Sequence, residues 1–507
     1  MLKNSPNNDI VLFKSKYYKY NQFVKDKPIS LTLPKYEEIK DKLPKPIFDG
    51  HDGYLECYDF AWKTAFSNLR NPFPKSGFVS DFIDTAFNGC LFMWDSSFIL
   101  MFTKYANHIF PFQKTLDNFY ALQHKDGFIC REIIEETGWD HFTKNDVDST
   151  GPNIMAWCEW KYFETFNDIE RLRKVYYPLR AFHVWYRKNR TWKDGSYFSS
   201  GWGCGMDNIP RLQKKYDHEH SNGKMIWNDI CFQSILNCDI LIRMNEALGY
   251  IDDTTDLVEE RDRLKNLVNE KLWDDETKFY YDLYSNQEKN YVKHIGAYWA
   301  LLAKTLADDK VFDFVNHLDN PNEFKRPTPI PTLSADHPAY SDTGAYWRGG
   351  VWAPTNYMVL NGLTEYGYHQ LAHSIADRYL SCVVDTYKRD KTLWENYSPE
   401  VLGKGNPAKP NFVGWTGLAP ISIFFEYVLG IQVDVPNNRL VWRINNLERH
   451  GILQLPFGVS GMIDIVCEER SSLNEKPVIS FKSNIDIEVV IHYGEDLSQT
   501  IILSREE

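Results

Sequence analysis

The sequence predicts a mainly α-helical protein, an (α/α)6 toroid with a small C-terminal β-domain. Apolar residues recur at helical spacing from Tyr54 to about Ile431, in segments such as LECYDFAWKTAFSNL and IMAWCEWKYFETF. About twelve such segments occur, and antiparallel pairing of neighbours would close a ring of about six helix pairs. After Gly430 the sequence changes to short alternating runs such as RLVWRI and IDIEVVIHY, separated by the turn sequences PNN, NEK and GED. This second pattern is typical of β-strands.

The predicted helices form a regular series along the chain. They lie near residues 55–70, 92–109, 112–124, 153–166, 168–189, 226–248, 255–272, 293–306, 308–318, 350–365, 367–387 and 413–429. Several, such as AWCEWKYFETF, are apolar on more than one face, which is typical of inner helices covered by an outer ring. Long irregular stretches occur at 72–91, 126–151, 190–224, 320–349 and 388–412. Loops of this length in a compact domain are usually functional, so we expect them to meet over one mouth of the toroid.

The chain divides into three predicted parts. Residues 1–50 contain IVLF, SLTL and many lysines and prolines, which predicts an extended N-terminal arm that packs elsewhere on the protein. Residues 51–430 form the predicted (α/α)6 domain, and residues 431–507 form the predicted β-domain.

The charge and hydropathy patterns exclude several kinds of partner. The chain has 57 Lys and Arg against 69 Asp and Glu, a net charge of −12 without a basic block, so neither nucleic acid nor an anionic membrane surface is an expected partner. The first residues lack the apolar run of a secretory signal, and no segment approaches the ~18 apolar residues of a membrane span. We therefore expect a cytoplasmic protein. The sequence does not indicate an oligomeric state.

Cysteine usage and standard motifs exclude several chemistries. The nine cysteines are scattered from Cys57 to Cys467 without a CxxC pair, which predicts reduced core thiols and neither a disulfide framework nor a zinc site. The motifs GxxxxGK[ST], HExxH and GxSxG do not occur, so phosphoryl transfer, zinc proteolysis and α/β-hydrolase chemistry lose their usual support. Aromatic residues make up 15% of the chain. Such rings can line a core or stack on sugars in a cleft.

The segment SSGWGCGMDNIPR, residues 199–211, contains the first candidate catalytic residue. Three glycines and Trp202 precede Asp207. Glycines allow close turns, so a carboxylate can be positioned at a cleft wall beside an indole ring. Asp and Asn before a proline are also common turn formers, which leaves a structural role for Asp207 open.

A second candidate carboxylate, Glu395, lies between Trp394 and Asn396 in an irregular stretch. An acid beside apolar rings is poorly solvated, which raises its pKa or favours contact with a positioned water. The alternative is a turn capped by Asn396 with a solvated glutamate.

Four further segments contain candidate substrate contacts. In GAYWRGGVWAPTNYMVLNGL, residues 344–363, Arg348 follows Trp347, and Arg and Trp could bind hydroxyls and stack on a ring. Pro354 suits the first turn of a helix, so an ordinary capped inner helix is the alternative. The other segments resemble pocket-lining loop ends: FMWDSSF with Trp94 and Asp95, GFICREI with Arg131, and GWTGL with Trp415.

Two acidic segments are better explained without a metal. Asp252–Asp256, DDTTD, matches the DDxxD pattern that binds magnesium diphosphate, but it follows a helix stop and precedes LVEERDRL. Its acids and threonines are therefore expected to cap the next helix. Asp217–His220, DHEH, contains two imidazoles, but no further ligand cluster accompanies them, so we do not expect zinc there.

Taken together, these segments resemble a clan of inverting α-glycosidases. The clan includes family 63 glucosidases, family 37 trehalases and bacterial mannosylglycerate and glucosylglycerate hydrolases. The resemblance covers roughly residues 72–430 and rests on MWDSSF, QHKDGFICREI, SGWGCGMDNIPR, YWRGGVWAPTNY, WENYSP and FVGWTGL, in this order.

The resemblance implies a mechanism. Asp207 matches the general acid and Glu395 the general base, which in an inverting enzyme lie ~6.5–9.5 Å apart so that a water fits between them. Neither a metal nor an organic cofactor is then required. The resemblance implies sugar contacts for Trp94, Asp95, Trp347 and Arg348, and the motif positions add Arg131, Trp202, Trp394 and Trp415.

The expected function is that of an inverting, exo-acting α-glycosidase. Its substrate would be an α-linked glucoside or mannoside in a small saccharide or glycoside. Two alternatives are a disaccharide phosphorylase on the same fold, in which phosphate replaces water, and a non-catalytic glycan-binding protein. Glu395 in its ENY context favours hydrolysis, and the presence of both carboxylates disfavours a binding protein.

Overall fold

The computed structural model describes residues 11–503, apart from residues 251, 413 and 496. Residues 1–10 of the predicted arm and residues 504–507 of the predicted β-domain lie outside the described residues. Val413, which belongs to the FVGWTGL motif, also lies outside them.

Helices dominate the chain up to about residue 430. The α-helices are α1 (Tyr36–Ile39), α2 (Asp52–Ser67), α3 (Met93–Thr103), α4 (Thr115–Ala121), α5 (Met155–Phe166), α6 (Ile169–Asn189), α7 (Gly201–Cys204), α8 (Asn228–Ala247), α9 (Thr255–Leu267), α10 (Trp299–Leu302), α11 (Asp308–Asn316), α12 (Ala353–Glu365) and α13 (His369–Asp390). Two segments are π-helical, Val268–Leu272 and Ala419–Val428. Four-residue 3-10 helices, Ile295–Tyr298 and Trp415–Leu418, lead into α10 and into the second π-helical segment.

An inner ring of helices closes on itself. Helices α3, α5, α8, α10, α12 and the segment Trp415–Val428 contact one another in this order, and the last of them returns to α3. All residues of α3 are buried, as expected for a helix surrounded on every side. Helices α2, α4, α6, α9, α11 and α13 alternate with these along the chain. The predicted (α/α)6 toroid is therefore confirmed.

Outer helices show the expected one-sided pattern. In α13 the buried residues recur every three or four positions, including Ile375, Tyr379 and Val383. This spacing places them on one helix face, which packs against the inner ring.

Two of the inner helices differ from their predicted form. The predicted helix 293–306 is α-helical only over α10, and Lys304 beyond its end has a φ of 50°, in the left-handed region that an α-helix cannot include. The predicted helix 413–429 consists of a 3-10 helix followed by a π-helical segment. Both segments are nevertheless buried in the ring.

Strands form small pairs in the toroid and two sheets at the end of the chain. They are β1 (Lys45–Phe48), β2 (Leu69–Arg70), β3 (Phe82–Ile83), β4 (Cys90–Phe92), β5 (Glu132–Ile134), β6 (Met225–Ile226), β7 (Trp273–Asp274), β8 (Phe279–Tyr280), β9 (Leu283–Tyr284), β10 (Ile431–Asp434), β11 (Arg439–Ile444), β12 (His450–Phe457), β13 (Gly461–Cys467), β14 (Ile479–Ser483), β15 (Ile487–Tyr493) and β16 (Leu497–Leu503). The two four-stranded sheets have the orders β1-β12-β13-β14 and β10-β11-β15-β16. All their pairings are antiparallel except that of β11 with β15. The predicted C-terminal β-structure is thus confirmed.

Each of these sheets buries one face. Leu440, Trp442 and Ile444 of β11 are buried and alternate with more exposed residues, as the period of a half-buried strand requires. The indole N–H of Trp442 donates to the backbone oxygen of Leu429, 2.8 Å away, at the end of the last inner helix. This contact connects the β-structure to the toroid.

The N-terminal arm contributes a strand to the C-terminal structure. Residues Lys45–Phe48 of β1 pair with β12, with Lys45 opposite Leu453 and Phe48 opposite His450. Before β1 the arm is mostly irregular, with Phe23 fully buried and the Tyr17 hydroxyl accepting a hydrogen bond from Arg180 at 2.6 Å. The division of the chain at residues 50 and 430 stays a prediction.

Two further predictions concern the state of the cysteines and the presence of membrane-spanning segments. All nine cysteines lie in the described part of the chain and are unpaired, and all but Cys382 are buried. In the same part of the chain, none of the helices has the length and apolar character needed to cross a membrane. The cytoplasmic location stays a prediction.

A buried carboxylate connects the two ends of the inner ring. Glu426, in the last inner helix, accepts hydrogen bonds from the hydroxyls of Tyr105 and Tyr357, both at 2.8 Å, and pairs with the ammonium of Lys104 at 3.0 Å. Tyr105 and Lys104 follow α3, and Tyr357 belongs to α12. Because these groups are all buried, each depends on the others for its polar partner.

We expect Glu426→Gln to lower the free energy of unfolding by about 3–5 kcal/mol, because the Lys104 charge would stay buried without its counter-ion. Thermal and urea unfolding would measure the loss. Glu365→Gln is the matched control, since Glu365 pairs with Lys304 on the surface, with 43% and 56% of the two side chains exposed. That variant should lose at most about 1 kcal/mol. Equal losses in the two variants would contradict a role of Glu426 in closing the ring.

Candidate active site

A cavity opens at the end of the toroid where the inner helices begin. Its lining includes Trp94 and Asp95 in the first turn of α3, Tyr346 and Trp347 before α12, and Trp415 at the start of the last inner segment. The empty space within it, counting the part open to solvent, measures about 900 Å³.

Most of the predicted site residues meet in this cavity. Both candidate catalytic residues and six of the eight candidate substrate contacts line it: Asp207, Glu395, Trp94, Asp95, Arg131, Trp202, Trp347 and Trp415. They come from separate loops and helix starts. The irregular stretches of the sequence therefore do converge over one mouth.

The structure places Arg348 and Trp394 outside the cavity. The Arg348 side chain is exposed to solvent. The indole N–H of Trp394 donates to Asp390 at 2.9 Å, and the ammonium of Lys404 lies 4.6 Å from its ring centroid. Each of these residues is adjacent to a residue that lines the cavity, Trp347 and Glu395 respectively, but does not line it itself. Proximity in the sequence did not mean proximity to the site.

Asp207 lies in a loop whose close contacts require glycine. Gly205, at the end of α7, has a φ of +74°, and a Cβ there would lie 2.9 Å from the indole nitrogen of Trp94. The Asn208 side chain donates to the backbone oxygen of Ala345 at 2.9 Å and accepts from the backbone N–H of Trp347 at 2.8 Å. Asn208 therefore connects the Asp207 loop to the loop before α12.

A buried arginine fixes the other end of the Asp207 loop. Arg211 forms two hydrogen bonds with each of Asp229 and Asp282, over 2.6–2.9 Å, and its guanidinium lies 4.0 Å above the ring of Trp227. Paired carboxylates around a planar guanidinium give a geometry with little freedom. The shape of the loop at Asp207 thus depends on the start of α8, where Asp229 lies.

Glu395 accepts two hydrogen bonds. Its Oε1 accepts from the Tyr346 hydroxyl at 3.1 Å, and its Oε2 accepts from the backbone N–H of Lys409 at 3.1 Å. Burial raises the pKa of Glu395, and these two donors oppose the rise because they stabilise the charged form.

The Asp207 carboxyl accepts no hydrogen bond from neighbouring donors in the described part of the structure. Burial raises the pKa of Asp207 from 3.8 to about 7, with the charge of Arg131 opposing the rise and repulsion from Glu219, Glu132 and Glu395 adding to it. Burial also raises the pKa of Asp95 to about 8, again with repulsion from Glu132 and Glu395. The cavity therefore combines carboxyl groups that are protonated and ionised near neutral pH.

Aromatic rings form much of the cavity wall. Trp347 and Trp352 stack with centroids 4.1 Å apart and an interplanar angle of 3°, and the Trp415 ring meets both edge-on. The indole N–H groups of Trp94 and Trp415 have no hydrogen-bond partner among the described residues.

Several residues that line the cavity are not among the predicted site residues. Tyr346 and Glu132 are each adjacent to a predicted contact, Trp347 and Arg131, but adjacency alone would not have distinguished them from residues such as Arg348 that do not line the cavity. His141 and Phe142 lie in the predicted functional loop 126–151, but nothing in their own sequence context distinguishes them. The Arg131 guanidinium pairs with Glu132 at 2.8 Å and lies 4.3 Å from the Phe142 ring centroid.

Both acidic segments have structural partners. Asp253 accepts a hydrogen bond from the backbone N–H of Thr255, the first residue of α9, at 2.9 Å, and Asp256 pairs with Arg180 at 2.9 Å. Capping by an acid of DDTTD is therefore confirmed, whereas Thr254, at the N-cap position of α9, makes no side-chain capping hydrogen bond. In DHEH, His220 pairs with Asp148 at 2.8 Å, and its ring lies 4.6 Å from that of Trp202.

Comparison with known proteins agrees with the fold and the motifs. Residues 91–409 match the family described as the mannosylglycerate hydrolase MGH1-like glycoside hydrolase domain. The crystal structure of the GH63 mannosylglycerate hydrolase from Thermus thermophilus in complex with glucose shares the fold, with a TM-score of 0.57 and 21% identity over 71% of this chain and 98% of that chain.

Curated sequences show the same relationship. An uncharacterized protein of Borreliella burgdorferi is 26% identical over 385 residues, which are 74% of this chain and 78% of that protein. A probable mannosyl-oligosaccharide glucosidase of Schizosaccharomyces pombe is 23% identical over 64% of this chain. The match covers 48% of the yeast protein, so the chain spans about half the length of that relative.

The raised pKa of Asp207 predicts a pH-dependent effect of Asp207→Asn on stability. Between the ordinary pKa of 3.8 and about 7 the folded protein retains a proton that the unfolded chain has released, so this carboxyl makes wild-type stability fall as pH rises. Asparagine does not titrate. The thermal midpoint of the variant, relative to wild type, should therefore rise between about pH 4 and about pH 8.

Asp217→Asn is the matched control for this measurement. Backbone N–H groups of His220 and Glu219 lower the pKa of Asp217, so its substitution should give no such rise. A relative midpoint of Asp207→Asn that does not change with pH would mean that Asp207 ionises like an exposed carboxyl.

Proposed function

Because the chain belongs to the mannosylglycerate hydrolase MGH1-like family of glycoside hydrolases, we propose that it removes a terminal α-linked glucosyl or mannosyl unit from a small saccharide or glycoside. Glycoside hydrolysis with inversion is the chemistry of this family. We propose the exo mode of action, the identity of the released sugar and the catalytic residues.

The observation that supports the proposal best is the pair Asp207 and Glu395 in one cavity with unlike surroundings. Asp207 has a pKa raised to about 7 by burial, so it carries a proton near neutral pH and can serve as the general acid. Glu395 accepts two hydrogen bonds that favour its ionised form, so it can serve as the general base.

These roles give a balanced single-displacement reaction. Asp207 donates its proton to the glycosidic oxygen as the bond from that oxygen to the anomeric carbon breaks. Glu395 takes a proton from a water that attacks the anomeric carbon from the opposite face. The Tyr346 hydroxyl, 3.1 Å from Glu395, orients this carboxylate during the step. The product therefore has the anomeric configuration opposite to that of the substrate.

The other lining residues are proposed to bind the sugar. Trp347, Trp415 and Trp94 offer aromatic surface in the cavity wall. Asp95, whose pKa is raised to about 8, can donate as well as accept a hydrogen bond to a hydroxyl. The Arg131 guanidinium carbon lies 5.5 Å from the ring centroid of Trp202, and both residues line the cavity.

The shape of the site favours a terminal sugar. Trp347 lines the cavity and is almost completely buried, as is Trp352 stacked on it, and the other lining residues come from loops at the same end of the ring. A pocket walled by loops in this way is expected to admit the end of a chain more readily than its middle. The relatives include a mannosylglycerate hydrolase and a mannosyl-oligosaccharide glucosidase, whose names give substrates of different sizes, so both glucosides and mannosides belong in the first screen.

The residues that line the cavity also argue against the phosphorylase alternative. A phosphorylase must bind inorganic phosphate beside the anomeric carbon, which requires cationic side chains. Among the described lining residues Arg131 is the only Arg or Lys, and it is paired with Glu132. The ionised Glu395 in the same cavity also disfavours a bound anion. Water is therefore the proposed nucleophile.

We expect Asp207→Asn and Glu395→Gln each to lower turnover by at least about 10²-fold, because positioned proton transfer contributes about 10²–10⁴. Tyr346→Phe should cause a smaller loss, since it leaves the Lys409 hydrogen bond to Glu395 intact. Steady-state kinetics with a cleaved α-glycoside would measure these effects. Glu400→Gln is the control, because Glu400 pairs with Arg326 and Tyr340 away from the cavity. Near wild-type turnover in Asp207→Asn or Glu395→Gln, with unchanged unfolding, would remove that residue from the mechanism.

The product formed first from an α-linked substrate is expected to be the β anomer. Purified protein would be incubated with a panel of α-glucosides and α-mannosides, and proton NMR spectra recorded before mutarotation. Release of a monosaccharide supports exo action, whereas shortening of a polysaccharide without monosaccharide would contradict it. An α anomer formed first would indicate a covalent glycosyl intermediate and exclude the proposed single displacement.

A further inference from the structure

Three side chains with metal-binding atoms meet at the edge of the cavity: Cys90, Glu132 and His141. Their ligand atoms all lie within 4.8 Å of one another. Glu132 and His141 line the cavity, Cys90 is buried beside them, and His141 is exposed to solvent. None of the three is needed for the proposed proton transfers.

Backbone pairing explains why residues so distant in the sequence meet. Strands β4 and β5 are antiparallel neighbours, with Cys90 opposite Ile134 and Phe92 opposite Glu132. The backbone N–H of His141 donates to the Glu132 backbone oxygen at 3.0 Å, which adds a third segment beside β5. The three side chains are therefore positioned by hydrogen-bonded backbone and not by a mobile loop.

Their geometry suits a tetrahedral ion. With Zn–S of about 2.3 Å and Zn–N of about 2.0–2.1 Å, a tetrahedral zinc separates its sulfur and nitrogen ligands by about 3.6 Å. The Cys90 sulfur lies 3.7 Å from His141 Nδ1. A thiolate, an imidazole and a carboxylate are a ligand set for zinc or a similar soft divalent ion, whereas calcium and magnesium prefer oxygen ligands only.

We propose that Cys90, Glu132 and His141 bind one thiophilic divalent cation, such as Zn²⁺, and that the bound ion excludes the sugar from the cavity. Binding replaces the thiol proton, which leaves to solvent, by a bond from sulfur to the metal. Glu132 binds the ion through the oxygen that is not paired with Arg131, or gives up that pair. Three protein ligands leave a fourth coordination position, and two of the three ligands, Glu132 and His141, line the cavity together with Arg131.

A metal bound at this site would inhibit the enzyme and would take no part in its reaction. Proton transfer between Asp207, Glu395 and water needs no metal. A cation on Glu132 would instead occupy space beside Arg131 and Trp202, where the sugar is proposed to bind. The inference thus adds inhibition by a soft metal to the proposed hydrolysis, and its binding part does not depend on that function.

The test uses the full chain in metal-free buffer with Zn²⁺ or Co²⁺ alone as the probe. Calorimetry should show one equivalent of Zn²⁺ bound, and Co²⁺ should give an ultraviolet thiolate-to-cobalt charge-transfer band. Cys90→Ser should abolish the band, and His141→Ala should weaken Zn²⁺ binding at least about tenfold, since even outer partners of metal ligands contribute about 10–100-fold. His141 is exposed, so its variant keeps the test valid if Cys90→Ser fails to fold.

Cys382→Ser is the matched control. Cys382 is the most accessible of the nine free cysteines, so adventitious binding to a thiol would occur there. Persistence of the band in Cys90→Ser, its loss in Cys382→Ser, or the absence of a band in wild type would overturn the site. The 3.7 Å contact would then be only a hydrogen bond between thiol and imidazole.

Kinetics test the second part of the inference. Zn²⁺ should raise KM for a cleaved glycoside without changing kcat in wild type, and this response should disappear in Cys90→Ser relative to the variant's own zinc-free rate. A fall in kcat at constant KM would overturn the exclusion of sugar. If no glycoside is cleaved, the proposed function fails, while the binding measurements still decide the metal site.

Discussion

Four carboxyl groups around one guanidinium are the constraint on which the site depends. Asp95, Glu132, Asp207 and Glu395 line the same cavity, and Arg131 is the only arginine or lysine among the described lining residues. Buried like charges cannot all be ionised together at neutral pH. Arg131 pairs with Glu132, two hydrogen bonds favour ionised Glu395, and the raised pKa values of the remaining two acids favour their protonated forms. The division into acid and base therefore follows from where the few available donors are placed.

The toroid makes this arrangement possible because it brings distant loops to one end. The lining residues extend from Phe87 to Trp415 in the sequence, and they lie at the starts of inner helices or in the loops that lead into them. Contacts away from the cavity fix these loops. Asn208 connects two of them directly, and Arg211 connects one to the start of α8 through buried carboxylates. A change at such a residue would alter the site without touching the sugar.

Much of the fold could be predicted because helical periodicity is local. Each inner and outer helix has its own pattern of apolar residues, and burial on all sides explains why α3 is apolar throughout most of its length. Strand β1 was not predicted, because its partner β12 lies almost at the other end of the chain and four residues contain no signal of such a pairing. Residues next to a motif posed the same difficulty. Tyr346 lines the cavity and Arg348 does not, although both flank Trp347, because the direction of a side chain in an irregular loop is decided by tertiary contacts.

The pairing of β1 with β12 has a consequence for how the protein forms during synthesis. The strand opposite Lys45–Phe48, His450–Leu453, is made only after residues 49–449 have been made. The inner ring is likewise incomplete until Ala419–Val428 has been synthesised. Contacts between such distant segments form slowly, and an unpaired strand edge favours aggregation until its partner strand is available. The nascent chain would thus carry β1 without its partner strand until β12 has been made.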